Sequence, residues 1–235
     1  MQTAILAGGL GTRLWPVTQA VPKPMVPVAG APYLEHQLRR LADQSIRDVV
    51  LLTGYLGEQI EEYFGDGSRL GLRLQYSREP VPLGTGGALR EARAFLEDVF
   101  LVIYGDSYLP IDYAAVYRQL DQSPAQGLLV VYDNRDEDTS VTNNVEVDDE
   151  SGVVTRYEKD SKELLRYVEA GVLAFRRAAL DLIPAGGAVS LEKEIFPQLI
   201  ARRALIAHVT RQRFYDIGTP ERLQVIERLL ANDHH

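Results

Sequence analysis

The chain has 235 residues, 46% of them hydrophobic and 25% charged, with a formal net charge of −8 at pH 7. This is ample material for a packed core in one large domain or two closely joined lobes, and its acidity argues against a polynucleotide partner, for which a basic surface is the usual requirement. With no cysteine, disulfides and thiolate metal sites are excluded; with neither a secretory leader nor an apolar run of bilayer-spanning length, a soluble cytoplasmic protein without a membrane partner is expected.

A short apolar run, Thr3 to Leu6, reads as a strand that feeds a glycine-rich loop. Leu34, Leu38 and Leu41 are spaced four and three apart and mark a helix face between Pro32 and Ala42. Asp48 to Gly54 is dominated by a continuous apolar run, the pattern of a strand covered on both sides. A short helix over Gly57 to Phe64, an alternating strand over Leu72 to Tyr76 and a glycine-opened helix over Gly84 to Leu96 follow. Val99 to Tyr104 is another buried strand, ending at Gly105-Asp106. Strands alternating with helices predict βαβ units and a mostly parallel sheet. In such sheets functional groups collect at the carboxyl ends of strands.

The second half reads differently. A helix over Tyr113 to Leu120 and a strand over Gly127 to Tyr132 precede a polar loop, Asn134 to Thr142. Val145 to Val147, Val153 to Glu158 and Val168 to Phe175 read as strands joined by short turns. Ser190 to Ala201 is a predicted helix with Leu191, Ile195 and Leu199 on one face, and Leu205 to Val209 a strand. Thr219-Pro220 caps a final helix with proline at its first turn and a stripe of Leu223, Ile226 and Leu230. No repeat, low-complexity tract or linker interrupts the chain. The expected fold class is α/β: a Rossmann-like, mostly parallel sheet with helices on both faces, plus a partly antiparallel lobe. The terminal pair His234-His235 is left out of the reading.

The glycine loop carries the chemistry. In Leu6-Ala7-Gly8-Gly9-Leu10-Gly11-Thr12-Arg13-Leu14, glycines let backbone N–H groups approach an anion closely. Arg13, and Lys23 in Val21-Pro22-Lys23-Pro24-Met25, add two cations beside that loop, which suits a polyphosphate. The loop is not a Walker A motif, because it ends Gly11-Thr12-Arg13. Nor is it a dinucleotide fingerprint, because Leu14 stands where the third glycine belongs. The loop, together with Lys23-Pro24, resembles the signature of the sugar-1-phosphate nucleotidyltransferases. The resemblance runs from about Thr3 to Leu230.

It implies a nucleotide site built from Leu6, Ala7, Gly8, Gly9, Gly11, Thr12, Arg13, Lys23, Pro82, Gly84, Thr85 and Gly105, with Glu79 near the base. The segment Glu79 to Ala88 precedes a helix, so its free N–H groups face the cleft; it resembles the family segment that closes around base and ribose. Asp106 ends a buried strand, where a carboxylate is costly unless paired or bound to a cation. By resemblance, Asp106 and Asp216 hold Mg²⁺, an ion suited to a few hard oxygen ligands with water and phosphate completing its shell. Glu158-Lys159 alone is an ordinary solvated pair. The resemblance assigns it, with Asn144 and Gly171, to the sugar and its phosphate. Asn143-Asn144 departs from the Tyr-Gly that many thymidylyl and uridylyl members carry.

The resemblance also implies a division: roughly residues 1–110 for the nucleotide, 111–235 for the sugar, and no carboxy-terminal β-helix domain. The partners are an NTP and a sugar 1-phosphate; a homo-oligomer is allowed. Arg13, Lys23 and Asp106 are the expected catalytic set. Glu79 offers only acceptors, which suits the adjacent N–H and NH₂ of guanine, so the pattern leans toward heptose or mannose 1-phosphate guanylyltransferases. Three alternatives stand beside it: a uridylyl- or thymidylyltransferase, an enzyme with the same first loop but another acceptor, and a non-catalytic nucleotide-sugar-binding subunit.

Overall fold

The computed structural model describes residues 1–135, 139, 141–159 and 165–232. Strand β1 (Gln2–Leu6) runs through the interior of a nine-stranded sheet. A small ladder of β2 (Pro27–Val28) and β3 (Ala31–Pro32) leads into helix α1 (Tyr33–Asp43). The next units are β4 (Asp48–Thr53), α2 (Gly57–Phe64), β5 (Arg73–Arg78), α3 (Gly84–Glu91) and β6 (Val99–Tyr104). Strands β6, β1, β4 and β5 lie side by side and all run parallel. Leu6 is in register with Leu52 of β4 and Tyr104 of β6. The glycine loop, Gly54 and Gly105-Asp106 therefore emerge at one edge.

The second half adds β7 (Ser107–Tyr108), α4 (Tyr113–Asp121), β8 (Gly127–Asp133), β9 (Val145–Val147), β10 (Val154–Tyr157) and β11 (Tyr167–Arg176). After them come α5 (Phe196–Ala201), β12 (Leu205–Thr210), β13 (Tyr215–Asp216) and α6 (Pro220–Asn232). β11 pairs antiparallel with β6 and joins the halves; it is also antiparallel to β8 and β9, while β12 is parallel to β8. The expected mixture is present: a parallel first half and a partly antiparallel second.

The continuous apolar runs have a simple cause. Ile5, Leu51, Leu101 and Ile103 pack on one face with Leu34 and Leu38 of α1 and Val116 of α4. Their neighbours Ala4, Val50, Leu52, Phe100 and Val102 pack on the other with Leu89 of α3 and Phe196 of α5. Successive strand residues point to opposite faces, so a sheet covered twice needs apolar residues at every position. A third cluster, Val28, Tyr33, Tyr108, Ile217, Ile226 and Leu230, fastens α6 beside β7.

Three details differ from the sequence reading. The helix begun at Gly84 ends at Glu91 and tightens into a 3₁₀ turn, Ala92–Phe95. The helix expected from Ser190 begins as a π turn, Leu191–Ile195, before α5. The two-residue ladder β7–β13 has no sequence signal, because two residues show no period. Residues 136–138 and 140 of the polar loop, and His234-His235, lie outside the described residues. No described helix is long and apolar enough to cross a membrane.

Candidate active site

A cavity of about 530 Å³ opens where the parallel strands end. Leu6 to Gly9, Gly11 to Arg13, Lys23, Glu79, Pro82, Gly84, Thr85, Gly105, Asp106 and Lys159 all line it. The loop's stem is held on both sides, by Ala7 N–H to Leu52 C=O at 2.8 Å and Gly105 N–H to Leu6 C=O at 3.0 Å. Gly11 has a φ of 63°, and a Cβ there would lie 3.0 Å from Lys23 Cβ. That close approach brings Lys23 under the loop. Thr18 Oγ1 locks the turn by donating to Gly11 C=O at 2.8 Å.

Glu79 follows β5 and reaches back to the loop. Its Oε2 accepts from Leu83 N–H at 2.9 Å, and Oε1 would lie 2.6 Å from a Cβ on Gly8. Glycine at position 8 is what makes room for this carboxylate. Burial raises the Glu79 pKa, with the Leu83 N–H opposing.

The turn opening α3 docks on the other half. Gly84 has a φ of 71°, and Gly86 N–H donates to Val189 C=O at 2.8 Å. Just beyond, Glu192 accepts from Ser190 Oγ at 2.7 Å, Tyr104 Oη at 2.9 Å and Thr85 Oγ1 at 3.0 Å. Burial opposes its ionisation, but the hydrogen bonds, Ser190's first, outweigh it and hold the carboxyl below its ordinary value. Nearby Glu169 accepts from Gly171 N–H at 2.7 Å. Burial pushes its carboxyl up to about 8; Glu192 and Asp106 add to the push, while the Gly171 N–H and Lys159 oppose it.

Asp106 and Asp216 meet through the short ladder. Asp216 stands opposite Ser107, and Ile217 N–H donates to Asp106 C=O at 3.1 Å. Lys23 Nζ is 2.5 Å from Asp106 Oδ2. Asp216 accepts from Gly218 N–H at 2.7 Å and from Arg222 Nη1 at 3.0 Å. The Arg13 guanidinium lies over Gly218, with Nη2 3.6 Å from where a Cβ would stand. No cluster of three or more His, Cys, Asp or Glu able to hold a metal occurs among the described residues.

Four predicted residues do not line the cavity. Asp216 sits behind Asp106 at the ladder. Asn144 is buried, its Oδ1 taken by Glu169 N–H at 2.9 Å, so it braces β11. Glu158 is exposed and pairs with Arg156 at 2.7 Å. Gly171, with a φ of 77°, lies against the Ser107 side chain. Conversely, Tyr104 and Glu192 line the cavity, and no motif in the sequence marks either as a site residue. Glu192 sits in a charged run that reads as a solvated helix face, and the proline at 197 was its one irregular sign.

The site thus has a backbone and cation end (Gly8 to Arg13, Lys23) and an acceptor end (Glu192, with Glu169 near it), with Lys159 beside the latter. One end suits phosphates, the other a polyhydroxylated ring.

Comparison with known proteins identifies the family. The nucleotidyl transferase family model matches residues 2–232. A mannose-1-phosphate guanylyltransferase of Mycobacterium tuberculosis is 38% identical over 224 residues, 94% of this chain and 62% of that protein. A D-glycero-alpha-D-manno-heptose 1-phosphate guanylyltransferase of Campylobacter jejuni is 34% identical over 94% of this chain and 96% of its own length. HddC of Yersinia pseudotuberculosis, solved in complex with GMP-PN, superposes with a TM-score of 0.80 at 26% identity, covering 97% of this chain and 99% of the other. The chain therefore spans about 62% of the mycobacterial relative but nearly all of the other two.

Proposed function

We propose, from the premise that the chain belongs to the nucleotidyl transferase family, that it converts an NTP and a sugar 1-phosphate into an NDP-sugar and pyrophosphate. The observation that carries the reading is one continuous cavity in which the glycine loop, Lys23, Asp106, Lys159 and Glu192 all take part. The first part of the chain, to about residue 110, receives the nucleotide and the rest receives the sugar. The sugar-phosphate oxygen attacks the α-phosphorus in line; the bond from that phosphorus to the β-phosphate oxygen breaks and pyrophosphate leaves. The attacking oxygen is already ionised, so no strong base is needed, and catalysis is positioning with charge neutralisation.

Arg13 holds the leaving pyrophosphate, Lys23 the α-phosphate and Lys159 the sugar phosphate. Asp106 and Asp216 would hold Mg²⁺. Their fit rests on donor chemistry and position: two hard carboxylates on segments that the β7–β13 ladder joins, Asp106 lining the cavity and Asp216 behind it. When bound, such an ion neutralises charge on the phosphate oxygens as it builds in the transition state.

For the base we favour guanine, read by Glu79, and for the sugar a heptose or hexose 1-phosphate. The mannose and heptose guanylyltransferases among the relatives support this. The test is pyrophosphate release with GTP, UTP, dTTP, CTP and ATP in competition, against a panel of sugar 1-phosphates. GTP is expected to win. A clear UTP or dTTP preference removes the guanine assignment, and no turnover with any pair removes the activity.

A further inference from the structure

Both carboxylates assigned to a divalent cation already carry a cation of the chain's own. Arg222 Nη1 lies 3.0 Å from Asp216 Oδ2, and Lys23 Nζ lies 2.5 Å from Asp106 Oδ2. The two pairs differ in kind. Arg222 and Asp216 are six residues apart, and Asp216 also holds the Gly218 N–H, so this pair braces the turn into α6. Lys23 and Asp106 come from different loops, 83 residues apart, and both line the cavity.

Lys23 is confined there. Its side chain is 11% exposed, and its Cβ packs where Gly11 lacks one. Its ammonium is a single point charge at the boundary between the glycine loop and Asp106. A phosphate on the loop attracts that ammonium away from Asp106. A metal ion seated on Asp106 Oδ2 competes with the ammonium for that oxygen, because two cations at contact distance on one atom repel.

We propose that Lys23 is the resident counter-ion of Asp106 in the free protein and is exchanged on loading: nucleotide phosphate draws the ammonium off the carboxylate, a divalent cation takes its place, and the two ligands therefore bind cooperatively. This rests on the nucleotidyl-transfer reading, which names the phosphate and the metal, but the exchange is a separate property of two side chains. Free Lys23 occupies the metal's seat, and Asp106 occupies the phosphate's lysine. Each ligand frees the partner that the other needs, and linkage makes the effect reciprocal.

The experiment measures binding, not turnover. Mn²⁺ is titrated into the protein without nucleotide and free Mn²⁺ is read by electron paramagnetic resonance. Lys23→Met is expected to bind Mn²⁺ about tenfold more tightly than the parent, and Lys23→Met with Asp106→Asn to lose that gain. Separately, a non-hydrolysable GTP analogue is titrated in EDTA by calorimetry. Asp106→Asn is expected to bind it about tenfold more tightly, and this gain should shrink when Lys23 is already Met. Mn²⁺ affinity unchanged within about twofold in Lys23→Met overturns the proposal. So does an equal Asp106→Asn gain with and without Lys23, which is plain repulsion between carboxylate and phosphate. Lys23→Gln replaces Lys23→Met if the latter does not melt cooperatively. If no nucleotide of any base binds the parent protein, the functional reading fails, while the Mn²⁺ comparison still decides the exchange.

Discussion

Thr85 Oγ1 donates to Glu192 Oε2 at 3.0 Å and accepts from the Leu191 N–H at 2.8 Å. One hydroxyl thus joins the first turn of α3 to the π turn before α5. Thr85→Val keeps the shape but strands the Leu191 N–H and removes one donor from an ionised carboxylate. The expected loss is about 1–3 kcal/mol of stability, with KM rising for both substrates because the joint spans both ends of the cavity. Calorimetric melting and kinetics on each substrate check this. An unaltered Tm with a change confined to the nucleotide KM would show that the joint is local.

Glu169 makes stability depend on pH. An ordinary glutamate ionises near 4.5, but here burial, with Glu192 and Asp106 nearby, pushes the carboxyl up to about 8. Lys159 and the Gly171 N–H oppose that push without cancelling it, and the phenols of Tyr104 and Tyr157 face the same region. Between these two values the unfolded chain has released the proton and the folded chain retains it. Stability therefore falls as pH rises across that window and levels off above it. Glu169→Gln removes the titration, so its stability relative to the parent should grow from pH 5 to pH 8. Urea unfolding at three pH values tests the slope; a constant difference would mean that Glu169 is an ordinary surface acid.

Gly171 has a φ of 77°, and a Cβ there would run into the Ser107 side chain, next to Asp106. Gly171→Ala combines left-handed strain, about 1–2 kcal/mol, with displacement of β7. We expect stability to fall by about 2 kcal/mol or more, and activity to fall further at a temperature where the variant is still folded. Adding Ser107→Gly should restore the part due to contact and leave the part due to φ. Strict additivity of the two changes would show that the side chains do not meet.

Glu79→Gln tests the base. The oxygen that accepts from Leu83 N–H can be kept, while an NH₂ takes the seat of Oε1 beside Gly8 and Gly54. An acceptor becomes a donor with little change of shape. The GTP-to-UTP ratio of kcat/KM should drop, chiefly through weaker GTP use. An unchanged ratio would move base recognition to backbone groups.

How much of this is legible in the sequence varies from residue to residue. Gly8 through Arg13, Lys23 and Asp106 stand in short runs at strand ends, and the fold gathers them around one cavity, so they are readable. The apolar strands announce a sheet covered on both faces. Glu192 is invisible because an acidic residue among Lys193 and Glu194 looks like any solvated face; only the docking of Gly84 on Val189 turns it inward. Asn144 and Glu158 show the opposite error source. Their types suit a sugar, but one is spent on the Glu169 backbone and the other on Arg156.

The β7–β13 ladder has a consequence for synthesis. Asp106 and Ser107 precede Asp216 by about 110 residues, and the ladder joins the two segments. A chain emerging from the ribosome displays its glycine loop and Lys23 early, and roughly half its length separates Asp106 from the second carboxylate. Until the latter emerges the pair of aspartates is incomplete, so under the function proposed above the nascent polypeptide has its loop without its second acid.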